Sequence, residues 1–174
     1  MELDKISGIT VSDSITRPAN TTIYTALDAA SDVTGNAHFT FGKAGKSLVF
    51  PGNGNYGVIS GARLHSSANQ GTLPDMDLYL FRTDITAIAD NAAFVVTDAE
   101  ALTLIGVLEF NAFKALNVGS AAVGNAACVL NNLSRGIVLE ADEYIYGQLV
   151  VQNAYTPVSG EVITCELDIV RYGH

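Results

Sequence analysis

The chain has 174 residues, 48% of them hydrophobic and only 16% charged, with 18 acidic against 9 basic side chains for a formal net charge of −9. A chain of this length buries roughly 70% of the surface its unfolded form exposes, so one domain with a full core is expected and no disulfide staple is required. The acidic balance argues against a nucleic-acid partner, whose phosphates are held by clustered Lys and Arg. No run of about 18 apolar residues offers a membrane span.

The start, Met1-Glu2-Leu3-Asp4-Lys5, lacks the basic-then-apolar order of a secretory signal, and synthesis in a cytoplasm is expected. Leu3, Ile6, Ile9, Val11 and Ile15 follow, with an odd-position alternation from Ile9 onward. Residues 1–14 therefore read as an extended N-terminal arm that becomes a strand near Ile9, or as an ordinary first strand. Residues 15–174 read as a single domain. Pro18 fixes its own φ and pushes Arg17 towards extended backbone, which breaks the pattern before a short β-like run from Thr22 to Leu27.

His38-Phe39-Thr40-Phe41 alternates, and Ser47-Leu48-Val49-Phe50 reads as its return strand across a Gly-Lys turn. Pro51-Gly52-Asn53-Gly54-Asn55 is the sharpest loop signal, because Gly and Asn tolerate positive φ. Beyond it Tyr56–Ser67 predicts a long strand, with a bulge or a close backbone approach at Gly57 or Gly61. The clearest strand is Met76–Arg82: Met76, Leu78 and Leu80 alternate against Asp77, Tyr79 and Phe81. Tyr79 and Phe81 make its second face apolar too, which suits a sheet covered on both sides or one that meets a partner.

A polar crossing from Thr83 to Asn91 leads to Thr97-Asp98-Ala99-Glu100, a capping-box pattern. With Ala101, Leu102 and Ile105 at helical spacing it predicts one short helix over 98–105, plugging one end of the sheets. The remainder is strand after strand: Gly106–Phe113, Ala126–Leu130, Gly136–Glu140, Tyr144–Gln152 and Glu161–Tyr172. In the last of these Ile163, Cys165, Leu167 and Ile169 oppose Val162, Thr164, Glu166 and Asp168. About eight to ten strands without intervening helices exclude a parallel α/β sheet. The expected fold is all-β, an antiparallel two-sheet β-sandwich with jelly-roll topology the leading candidate.

Little in the chain points to catalysis. The three histidines, His38, His65 and His174, lack the paired spacing of a metal-binding jelly roll, and no Gly-x-Ser-x-Gly elbow, EF-hand loop or phosphate-binding Gly-rich loop is complete. Tryptophan is absent, which weakens an aromatic platform for sugars. A non-enzymatic protein without cofactor or metal is expected. Cys128 and Cys165 sit in apolar runs and read as free buried thiols, with a disulfide between them as the alternative. Low charge, seven tyrosines and two-sided apolar strands favour association with a partner or with further copies.

Several phrases carry a resemblance: Thr16-Arg17-Pro18-Ala19-Asn20-Thr21-Thr22-Ile23-Tyr24, Ile59-Ser60-Gly61-Ala62-Arg63-Leu64, Asp77-Leu78-Tyr79-Leu80-Phe81, and Ile88-Ala89-Asp90-Asn91-Ala92-Ala93-Phe94 with Thr97-Asp98 and Gly106-Val107. From about Ile15 to the end the chain resembles small structural proteins of tailed double-stranded DNA phages, of the head decoration (cement) type. The resemblance implies a β-sandwich on the capsid exterior of the virion, a homotrimer where subunits of the major capsid protein meet, and a bridging role. It transfers no residue-level site. Leu3, Ile6 and Ile9, with Arg17 and Pro18, are the residues expected to reach a neighbouring subunit, with ordinary packing inside the domain as the other reading. A receptor- or carbohydrate-binding module of a virion appendage is the alternative function, with Tyr144 and Tyr146 on one strand face.

Overall fold

The computed structural model describes residues 6–42, 56–68, 74–116, 126–131, 133–138 and 144–172. The expected return strand Ser47–Phe50 and the Pro51–Asn55 loop lie outside them. Eleven strands and one helix are present among the described residues: β1 (Ile6–Thr16), β2 (Ala29–Ala30), β3 (Phe39–Phe41), β4 (Tyr56–Ser66), β5 (Met76–Phe81), α1 (Asp98–Ala101), β6 (Leu104–Phe110), β7 (Lys114–Ala115), β8 (Ala126–Leu130), β9 (Arg135–Val138), β10 (Ile145–Val151) and β11 (Val162–Tyr172).

They form two antiparallel sheets packed face to face, an all-β sandwich. The first has the order β1-β11-β4-β8-β7, with β9 paired to the other half of β4; the second has the order β2-β10-β5-β6, with β3 also on β10. The last strand thus lies between the first and the fourth. It pairs β1 from Ile6↔Tyr172 to Thr16↔Val162 and β4 from Tyr56↔Tyr172 to Ser66↔Ile163.

The core is the product of period-two alternation in both sheets. Val11 and Ile15 of β1, Ile59 and Leu64 of β4 and Ile163, Cys165, Leu167 and Ile169 of β11 point inward from the first sheet. Phe39 and Phe41, Met76, Leu78 and Leu80, Leu108 and Phe110, and Ile145, Leu149 and Val151 answer them from the second. The extra residue expected near Gly61 is present: the β4–β11 register shifts so that Asp168 faces Gly61 while Ile169 faces Ile59. A Cβ on Gly61 would stand 3.1 Å from Asp168 Oδ2 and 3.3 Å from the Leu130 carbonyl. A side chain there would have to push these neighbours back by a few tenths of an ångström.

Two local expectations differ from the structure. The helix is a single turn, Asp98–Ala101, with the full capping box between Thr97 and Glu100. None of its residues is buried, Leu102 is 89% exposed, and Ile105 belongs to β6, so this helix does not plug the sheets. Ala, Leu and Ile over so few residues fit a helical stripe and a strand start equally, and pairing with β5 decides for strand. Phe81, expected outward beside Tyr79, is buried because the β5–β6 register shifts between Leu80 and Phe81.

The two-sided apolar character of β5 and β10 is met within the chain. Tyr79 points away from the core and packs on Phe94, ring centroids 4.7 Å apart. Gln148 and Val150, on the outward face of β10, are fully buried, and Ile85 and Ile88 of the crossing between β5 and α1 are buried as well. That crossing is stitched to the second sheet by Ala29 N–H to Ala92 O, Asn91 N–H to Ala29 O and Phe94 N–H to Leu27 O. It makes a third layer over the second sheet.

Cys128 and Cys165 are both free and buried. Both face Leu64, one from each side of β4. Two strand spacings put their Cα atoms about 10 Å apart, beyond the roughly 7 Å a disulfide can bridge. Burial pushes the Cys165 thiol far up from its ordinary pKa. The folded protein is expected to show no reactive thiol towards a chromogenic disulfide reagent and two after denaturation; a reactive native thiol would contradict this packing. Gly147 of β10 is enclosed by Leu78 Cδ1 and Phe41 Cε2, each 3.0 Å from where a Cβ would stand. Gly147→Ala should cost about 1–3 kcal/mol by urea unfolding, as overpacking does.

Candidate interaction surfaces

The residues expected to reach a neighbour are distributed as follows. Leu3 lies outside the described residues. Ile6 and Ile9 belong to β1, opposite Tyr172 and Ile169 of β11, and Ile9 is partly buried against the core. Residues 6–14 are therefore paired strand. Arg17 is 1% exposed, and Pro18 is half-buried, its carbonyl accepting from the Asn20 and Gly160 amides.

Arg17 sits at the centre of a buried polar knot. Its Nη2 lies 2.8 Å from Asp90 Oδ2, its Nε donates to the Tyr24 hydroxyl, and that hydroxyl donates to Asp90 Oδ1 at 2.5 Å. The Ser31 amide donates to the same oxygen at 3.1 Å, and Tyr24 stacks on Tyr155 with ring centroids 5.1 Å apart. Burial by itself lowers the guanidinium pKa, but the hydrogen bond to Asp90 and the neighbouring Tyr24 outweigh it, and the net shift is upward. Burial, followed by Tyr155, pushes the Tyr24 hydroxyl far up. The knot holds an Arg17–Asp90 ion pair that ties the end of β1 to the third layer. No spacing in the sequence links residues 17, 24, 90 and 155; only the fold does.

The outer face of the first sheet is open and polar. Arg63 of β4 donates through Nε to Glu166 Oε2 at 2.6 Å and through Nη1 and Nη2 to the two oxygens of Asp168, each at 3.2 Å. The Thr10 hydroxyl donates to Asp168 at 2.7 Å, and the Ser14 and Thr164 hydroxyls are 2.8 Å apart. Glu166 is the largest influence raising the Arg63 pKa. Beside this network a shallow hollow of about 350 Å³ has Ala127 and Val129 as its apolar wall, with Arg63, His65 and Glu166 at its rim. Among the described residues no group of three or more His, Cys, Asp or Glu side chains is placed to hold a metal ion, and no helix is long and apolar enough to cross a membrane.

His38 stands at the junction of β3 and the crossing, its Nε2 3.0 Å from Asp84 and its ring edge-on to Tyr146. Burial pushes its pKa below the ordinary 6.5 in spite of Asp84 and Asp13 nearby. At the rim of the third layer Leu27 is 56% exposed and holds a left-handed φ of 72°, a conformation a branched residue rarely adopts. Val95, next to Phe94, is 72% exposed.

No protein-family model matches the chain, and no curated protein matches it.

The two ion pairs should answer differently to mutation. Asp90→Ala strands a buried guanidinium and is expected to cost about 3–5 kcal/mol, whereas Arg63→Ala, on a half-exposed network, should cost less than about 1 kcal/mol; urea midpoints compare them. A neutral, buried His38 favours the unfolded state as soon as that state takes up a proton. Stability contributed there is expected to fall as pH drops below 6.5, and the fall should be shallower in His38→Gln.

Proposed function

We propose that this chain is a non-enzymatic structural protein of the virion, of the head decoration (cement) type, which binds the outside of a phage capsid and bridges subunits of the major capsid protein. The observation that carries the reading is where the recurring phrases meet. Thr16–Tyr24 and Ile88–Phe94 are distant in sequence, and they close on one another through Arg17, Tyr24 and Asp90. Residues of these phrases thus go to a buried knot whose charges are neutralised internally. That is the use a structural protein has for them.

The strand order supports the same reading. With β2 counted together with β3, and β7 and β9 with β8, successive strands alternate between the sheets except for the β5–β6 hairpin, and settle as β1-β11-β4-β8 against β2/β3-β10-β5-β6. We read this as a jelly roll, a double-sheet fold of viral capsid and lectin domains. A mixed surface of hydroxyls, paired charges and single exposed apolar residues suits docking on another protein, and among the described residues no layer covers the first sheet.

The test is addition of the purified chain to empty shells assembled from the major capsid protein of the same phage. The chain should co-sediment with the shells and raise the temperature at which they come apart. Shells that neither retain it nor gain stability would overturn the proposal. One observation favours the carbohydrate-binding alternative: Tyr144 is exposed and set edge-on to Tyr146 at 6.3 Å. A glycan array decides it, with binding expected to disappear in Tyr144→Ala.

A further inference from the structure

Among the described residues the free side of β1 is unpaired along one part and closed along the rest, and the division falls at Asp13. In an antiparallel ladder alternate residues direct both backbone groups to the neighbouring strand and the others direct them away. On β1 the outward set is even-numbered. Thr16 gives its N–H to Asp32 Oδ2 at 2.7 Å and accepts from the Val33 amide at 2.7 Å, and Ser14 gives its N–H to the Asp13 carboxylate at 2.9 Å. Arg17, in the odd set, bonds towards the β11 side through the Glu161 carbonyl. The other Asp13 oxygen accepts from the Thr40 amide of β3 at 2.7 Å. One carboxylate thus seals the rims of both sheets at this point.

Beyond that seal Gly8, Thr10 and Ser12 continue the outward set. Among the described residues nothing accepts from their amides or donates to their carbonyls. Natural edge strands are blunted by lysine, proline, bulges or inward charges. Gly8-Ile9-Thr10-Val11-Ser12 carries none of these, and its pairing with β11 is regular throughout.

We infer that this edge is an interface between two copies of the chain, with the β1 strands pairing antiparallel about a twofold axis at Thr10 to join two first sheets into one. The occupant follows from the shape and charge of the edge. Paired about Thr10, Gly8 meets Ser12 of a second copy, Thr10 meets Thr10, and each outward N–H finds a carbonyl, while Ile6 would fall opposite the sealed Ser14. This is the self-complementarity a twofold contact requires. The chain carries a net charge of −9, and like charges repel most approaches of two copies; here the facing row is uncharged. Asp168, the nearest carboxylate on that face, is already paired with Arg63 and Thr10. The seal at Asp13 and the 32–33 segment limit the pairing to these five residues. Ile9, partly buried at the rim, gains cover in both copies. The inference stands apart from capsid binding, and it differs from the homotrimer that the family resemblance implies.

Light scattering across a concentration series reads it directly. The mass is expected to rise from 18.3 kDa towards twice that value, and the amides of Gly8, Thr10 and Ser12 to gain hydrogen-exchange protection as it does. Ser12→Pro removes an outward N–H while leaving the β11 ladder its bonds, and should hold the mass at the monomer with an unchanged unfolding midpoint. Thr10→Lys, which sets two ammonium groups opposite each other on the axis, should do the same if the proline variant fails to fold. A monomer at every concentration, a trimer, or a dimer that survives Thr10→Lys overturns the inference. Capsid co-sedimentation of the two variants keeps its failure separate from that of the cement reading.

Discussion

The structure depends on the placement of one strand. β11 is the last element in sequence, yet it is laid between β1 and β4 and is bonded along its whole length on both sides. Its odd residues fill the core and its even residues make the outer face, so one register assignment sets both. A slip by a single residue would turn Thr164, Glu166 and Asp168 inward and Ile163, Cys165 and Leu167 out. The bulge at Ser60–Gly61 belongs to the same constraint. It lets β4 follow β11 past Asp168 and leaves room for the carboxylate that Arg63 holds.

The two faces of the sandwich are treated differently. The second sheet is roofed by the chain's own crossing, so the apolar outward residues of β5 and β10 are satisfied in cis. The Arg17–Asp90 knot fastens that roof to the end of β1. A buried ion pair contributes little net stability compared with apolar packing, yet its loss on one side is costly. It therefore acts as a demand that two distant segments arrive together. The first sheet carries hydroxyls and a small charge network, and among the described residues no layer covers it.

Much of this was legible in the sequence, and the limits have physical causes. Period-two alternation located β5 and β11 and separated their two faces, Phe81 excepted, because burial on one face leaves a clear mark. Gly61 and the capping box were readable because each has one stereochemical purpose. The length of the helix was not, since three apolar residues near 101–105 satisfy both periods. Phe81 was misplaced because a register shift is a property of two strands and leaves no trace in one. For Arg17 the sequence left open a contact with a neighbour and packing inside the domain. Its burial depends on Asp90, which sits in a polar stretch with no pattern of its own. Two-sided apolar strands correctly announced a covering layer, but composition does not distinguish a roof from within the chain from one supplied by a partner.

The cysteine arrangement has a consequence for the route to the folded state. Leu64 separates Cys128 from Cys165 only once β4 has taken its place between β8 and β11. Before that strand docks, the two sulfurs belong to a loose chain and are free to meet, and a bond formed then would exclude β4 from the sheet. A disulfide made at that stage would hold the chain in a misassembled form, whereas in the finished sandwich both thiols are buried with a strand between them.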